Sequence, residues 1–224
     1  MNNMSKYLTK KLFLFLAVYI FALGICYGTG LKDKLSDGFR SNSSWMFSSF
    51  GNGGEIDFRK KKKDNATFDT VAILTSKYQK QKARKDALQK GAKTMEIKTV
   101  DVPVNYWSFA SIFFLFYLIL ILVTPIAWKS KILPLIVGFI ILYIFTMSKI
   151  WVAMLIRFSD FYERFHVGIE SETLLSFLKY FNNIISFPIF GLMLALIIWF
   201  FTCFSKIDLK GINKIVPTQN AIES

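Results

Sequence analysis

Residues 132–156, ILPLIVGFIILYIFTMSKIWVAMLI, carry a single charge, Lys149, in an otherwise apolar run. As a helix, the run is long enough to cross a bilayer, whose hydrocarbon core of about 30 Å needs roughly 20 residues. Three further apolar runs lie at 12–27, 109–127 and about 184–204. Together they predict a membrane all-α fold: four transmembrane helices with a small α+β extracytoplasmic insertion. The composition agrees: of 224 residues 53% are hydrophobic and 17% aromatic, and the mean hydropathy is +0.40. An ordinary soluble domain is excluded. The first run has the basic start and apolar core of a signal peptide, but no A-x-A-like cleavage site follows it, so it reads as a signal anchor.

Lys and Arg beside the spans set orientation, because short flanks rich in them stay cytoplasmic. Lys6, Lys10 and Lys11 precede the first span, Lys129 and Lys131 join the second and third, and Lys206, Lys210 and Lys214 follow the fourth. Only Asp208 and Glu223 oppose them. Both termini are therefore expected on the cytoplasmic side of a bacterial inner membrane. The expected organisation is residues 1–30 as N-terminus and first span, and 31–106 as a basic outer insertion. Residues 107–205 form the remaining bundle, with an outer loop at 157–182, and 206–224 form a cytoplasmic tail.

Within the insertion, SNSSWMFSSFGNGG (41–54) reads as a loop. ATFDTVAIL (66–74) alternates and is β-branched, which predicts a strand. SKYQKQKARKDALQKG places a Ser at the cap and Gly91 at the stop of a helix over 77–90. TMEIKTVDVPV (94–104) reads as a second strand leading into the next span. A unit this polar buries little core of its own and is expected to lean on the spans or on a partner. The net charge of +13 belongs to flanks and loops rather than to a nucleic-acid face, so no nucleic acid is expected. Arg59, Lys60, Lys61, Lys62 and Lys63 form a cationic run suited to anionic lipid headgroups, although a solvated turn is the simpler account of it.

Cys26 and Cys203 lie in or beside apolar spans with no CxxC or Cys/His spacing, and His166 is the only histidine. No disulfide, metal site or cofactor is expected from them. His166, with Glu163 and Arg157, is the outer loop's candidate for proton handling or pH sensing, although a membrane-interface residue with no special chemistry is the simpler account. Lys149 lies 18 residues from Lys131, or about 27 Å along a helix, and so near the outer interface. There its stem can snorkel to water beside Trp151. Alternatively it faces the bundle with Gly138, Thr146 and Ala153, forming a polar cluster with Asn182 and Asn183 at the start of the last span.

PIAWKSK (125–131), the pattern G-x-I-I-x-Y-I from Gly138, Lys149-Ile150 eleven residues after that glycine, and FNNIISFPIFGLMLALIIWFF (181–201) resemble the exosortase/archaeosortase membrane transpeptidases. The resemblance covers roughly residues 100–204. It implies a fold of membrane helices and a chemistry of cysteine nucleophile, arginine stabiliser and histidine base. Here VPVNYWSF (102–109) has no cysteine, Lys149 stands at the arginine, Thr146 stands where an asparagine is usual, and Asn182 or Asn183 stands at the histidine. Without a thiolate there is no acyl-enzyme. The expectation is a degenerate relative, a non-catalytic scaffold or accessory subunit whose partners are other membrane proteins and anionic lipid headgroups. The alternatives are a membrane transpeptidase or protease-like enzyme using Lys149 and His166, and a transporter or channel subunit.

Overall fold

A computed structural model of the chain describes residues 3–51, 53–61, 68–91, 94–95 and 97–203. The chain is mostly helical, with a small three-stranded antiparallel sheet. Helix α1 (Asn3–Gly28) and helix α5 (Trp128–Asp160) are long and apolar enough to cross a membrane. A third candidate is the pair α7 (Glu172–Ser186) and α8 (Pro188–Cys203), apolar enough together but bent by 68° at their junction. The chain is a multi-pass membrane protein. The expected second span is present as a shorter apolar helix over Trp107–Val123, made of a π-helical turn (Trp107–Ser111) and α4 (Ile112–Val123). The expected fourth span is corrected: Pro188 drives the preceding residue out of the α region, and Phe187 is extended at φ −61°, ψ 131°. The helix therefore breaks inside the apolar run. The stretch expected to be an outer loop carries α6 (Tyr162–Phe165) and most of α7.

The insertion holds α2 (Leu31–Met46), β1 (Gly54–Lys60), β2 (Thr70–Ser76), α3 (Lys77–Lys90) and β3 (Val100–Val104). The α3 expectation matches the structure in both bounds and caps: Ser76 Oγ accepts from Gln79 N at 3.2 Å, and Gly91 closes the helix at φ 61°. β2 begins later than expected, at Thr70, and residues 66–67 of the expected strand lie outside the described residues. β3 is confined to the last five residues of its expected range. Two elements depart from the loop expected over 41–54. Residues 41–46 complete α2, and Gly54 opens β1, which pairs Ile56 with Leu74 and Phe58 with Ala72. The helix prevails over a poor local composition because its buried face is bonded to the sheet: Ser36 Oγ donates to Asp69 Oδ2 at 2.7 Å, and Arg40 donates to Asp69 O at 3.1 Å and to Thr70 Oγ1 at 3.0 Å.

Two cores result. Phe39, Phe58, Leu74 and Val104 from the insertion pack on Met147, Ile150, Met154 and Phe158 of α5. The second core joins α4, α5 and α8 through Phe113, Tyr117, Ile121, Leu142, Ala195 and Ile198, and α1 joins α4 where Phe15 meets Phe116 edge to face at 5.2 Å. Far from the sheet, Lys131 Nζ donates to Leu122 O at 2.6 Å and Trp199 Nε1 donates to Thr124 Oγ1 at 2.7 Å, which closes the ends of α4 and α8. A cation is well placed on the free carbonyls of a helix C-terminus.

Helices α4 and α5 touch closely at Gly138, where an added Cβ would lie 2.1 Å from Tyr117 Cζ. The Tyr117 hydroxyl donates to Pro134 O at 2.7 Å beside it. Gly138→Ala is expected to destabilise the protein by about 1–3 kcal/mol through overpacking. Tyr117→Phe, losing one hydrogen bond, is expected to lose about 1 kcal/mol. Thermal unfolding in a mild detergent checks that order.

Candidate binding cleft at the seam between sheet and bundle

One carboxylate fixes the seam. Asp69, just before β2, accepts from the backbone N–H of Tyr106 through Oδ1 (3.0 Å) and of Trp107 through Oδ2 (3.1 Å), in addition to the Ser36 hydroxyl. A carboxylate suits a helix N-terminus, where unpaired N–H groups and the helix dipole favour negative charge. Asn105 Oδ1 accepts from Ser108 N at 3.0 Å in the same turn. The turn is π-helical, a local widening that recurs at functional sites, and it brings Ser108 and Phe109 towards α5. Tyr106 stacks on Phe39 at 3.9 Å. Burial above all, then Tyr143 and Asp69, pushes its phenol up to about 12.

Beside this turn opens a cleft of about 560 Å³, bounded by β3, the π-helical turn, α5, α7 and the start of α8. Its volume is that of a small-molecule or peptide side-chain site. Val102, Val104, Phe109, Ile150, Met154 and Pro188 supply apolar walls. Asn105, Ser108, Asn182, Asn183 and Ser186 supply amides and hydroxyls, and Arg157, Asp160 and Lys179 supply the charges. Lys179 Nζ is 2.7 Å from Asp160 Oδ1, and Arg157 lies 3.8 Å from Oδ2, so one carboxylate sits between two cations. The cleft therefore offers many donors and little free negative charge.

Lys149 overturns the expectation of snorkelling. It is 1% exposed, and Nζ lies 3.9 Å from the centre of the Phe109 ring, 5.5 Å from Phe145 and 5.9 Å from Phe113. Its neighbours Ile150 and Ala153, and Phe109 itself, line the cleft. Among the described residues the ammonium has no hydrogen-bonding or carboxylate partner. Asn182 and Asn183 line the cleft as a pair but do not bond to Lys149; Asn182 Oδ1 accepts from Ser186 Oγ at 3.4 Å. Thr146 is buried and turned back on its own helix, donating to Leu142 O at 2.8 Å.

The outer-loop candidates are not gathered at one point. Arg157 is on the cleft rim. His166, in the left-handed region at φ 53°, packs on Tyr78 of α3 with ring centres 4.2 Å apart. Glu163 lines a different, smaller cleft with Lys82, Asp86, Lys98 and Arg164. Of the cationic run, Arg59 pairs with Asp57 at 2.7 Å and Lys60 is an exposed end of β1. Lys61 reaches over Phe68 at 5.2 Å, and Lys62 and Lys63 lie outside the described residues. Among the described residues no group of three His, Cys, Asp or Glu is disposed to hold a metal ion. Asp69 was not legible from sequence, since its contacts reach 33 to 38 residues away. No protein-family model, curated protein or solved structure matches the chain.

A buried ammonium costs several kcal/mol in lost hydration, and each ring contact returns only about 0.5–2 kcal/mol. Lys149→Met is therefore expected to leave the melting temperature unchanged or higher. Lys149→Glu, which sets a carboxylate against the negative ring faces, is expected to cost about 3 kcal/mol or more. Thermal unfolding of the two purified variants checks both. Asp69→Asn keeps the shape and removes the charge, and is expected to cost about 1–3 kcal/mol, read in the same experiment.

Proposed function

We propose that the chain is a non-catalytic scaffold or accessory subunit of a membrane protein complex, holding a membrane-proximal segment of a partner in the cleft at the seam. The observation that carries the reading is the cleft itself. It has apolar walls that suit side chains, amides and hydroxyls that suit a peptide backbone, and a position where sheet and apolar helices meet. Its described lining contains no histidine, cysteine or paired carboxylates. Lys149 and His166, the pair an enzyme reading requires, occupy separate surroundings, which favours binding over turnover.

The topology proposed with it has four spans and cytoplasmic termini in a bacterial inner membrane, supported by the eight cations that flank one side. At 1.5 Å per residue, Trp107–Val123 and α8 are each about 25 Å long. That is short of the usual hydrocarbon thickness, and local thinning of the bilayer can accommodate it. The sheet then lies on the outer side, and Lys149 lies near that interface. A degenerate kinship with the exosortase/archaeosortase transpeptidases is part of the proposal. It rests on the sequence patterns around Gly138 and Lys149 and on the cleft beside them, where a catalytic cysteine is missing.

Ala153 lines the cleft at its α5 wall. Ala153→Trp fills the cleft and is expected to reduce at least tenfold the recovery of proteins that co-purify with the wild-type chain in mild detergent, while the size-exclusion profile of the chain itself is kept. His166→Ala is expected to leave recovery unchanged. Full recovery with Ala153→Trp would remove the cleft from the interface.

A further inference from the structure

Helix α7 is amphipathic in a way the cleft does not explain. Leu174, Phe177, Phe181 and Ile184 recur at three- and four-residue spacing, so they share one face, and all four are exposed. Phe177 and Phe181 stack with ring centres 6.4 Å apart. The opposite face carries Lys179, Asn182 and Ser186, which meet the cleft and α5, while Ile185 is the buried contact residue. The apolar face continues through the exposed Phe187 and Ile189 into the exposed apolar side of α8, which in a multi-pass membrane protein is the side turned to lipid. The 68° bend prevents α7 from following the direction of α8. The bend is written in the sequence as Phe187-Pro188. Glu172, Lys179, Asn182 and Asn183 also make α7 a poor spanning segment, because ionised and amide groups are costly in hydrocarbon.

We propose that α7 lies in the membrane interface rather than across the bilayer, with Leu174, Phe177, Phe181 and Ile184 immersed at the boundary between headgroups and acyl chains. Helices of this kind present one apolar face to lipid and a polar face away from it. Here the polar face forms one wall of the cleft, which sets its opening level with the headgroups. The lipid-facing residues do not line the cleft, so this inference stands whether or not the cleft holds a partner.

The test is nitroxide depth measurement in proteoliposomes of phosphatidylethanolamine and phosphatidylglycerol. The labels are placed at L174C, F177C, F181C, I184C and S176C in a C26A/C203A background. The first four labels are expected to favour oxygen over a water-soluble nickel chelate, and S176C is expected to be about fivefold more open to nickel than F177C. The ten steps from Leu174 to Ile184 are expected to span about 6 Å of depth, against about 15 Å for a helix standing upright. Because the cysteine background can perturb folding, the unsubstituted chain is also photolabelled with a diazirine-tailed phosphatidylglycerol. Adducts on the peptide containing Phe177 and Phe181 are expected. A depth spread near 15 Å, nickel access at all four stripe positions, or photolabel on α8 with none on α7 overturns the proposal.

Discussion

The structure depends on the length of α5. Its 33 residues extend about 50 Å, well beyond the roughly 30 Å of a hydrocarbon core. One stretch closes against α4 and α8 through Gly138 and Leu142. The other, from Met147 to Phe158, is the floor on which the sheet buries Phe58, Leu74 and Val104. The three strands, α2 and the strongly polar α3 carry little apolar surface for a unit of this size, and the insertion completes its core on a helix of the bundle. The cleft follows from the same arrangement, since it opens where β3, α5 and the broken α7–α8 pair fail to close on one another.

Asp69 and Lys149 show opposite uses of charge at this seam. Asp69 is fully employed: it accepts from two backbone N–H groups and a hydroxyl and so aligns α2, the sheet and the entry to α4. Lys149 has the rings of Phe109, Phe113 and Phe145 around its ammonium and, among the described residues, no hydrogen-bonding partner; the rings offset part of its desolvation. Packing alone gives no reason for a lysine where a methionine would fit.

Much of the architecture is legible in the sequence where the cause is local. The apolar runs place α4 and α5 within a few residues and the end of α1 within one, although α1 starts well before its run, at Asn3; a serine cap with a glycine stop fixes α3 at both ends. Legibility fails where distant partners decide. Residues 41–46 look like a polar loop but remain helical because their helix is bonded to Asp69 and Thr70. β1 alternates Ile56 and Phe58 with Glu55 and Asp57, yet the glycines before it and the lysines after it mask the pattern. At Pro188 the breaker is visible, but the hydrophobicity of the run outweighed it in the reading of a fourth continuous span. Of the two orientations open to Lys149, snorkelling outward or facing the bundle, the structure has the inward one, and helical rise could not choose between them because the choice depends on the rings of Phe109, Phe113 and Phe145. Asn182 and Asn183 do come to one cleft, without the direct contact to Lys149 that their shared depth implied.

The claim that sheet and bundle share one core through α5 is tested most directly by hydrogen exchange of the chain in lipid nanodiscs, comparing the wild type with Leu74→Ala. Leu74 is fully buried between the sheet and α5. A shared core predicts that the substitution speeds exchange in β2 and also in residues 147–158 of α5, while residues 132–142 keep their protection. Faster exchange confined to the sheet, with 147–158 unchanged, would contradict it.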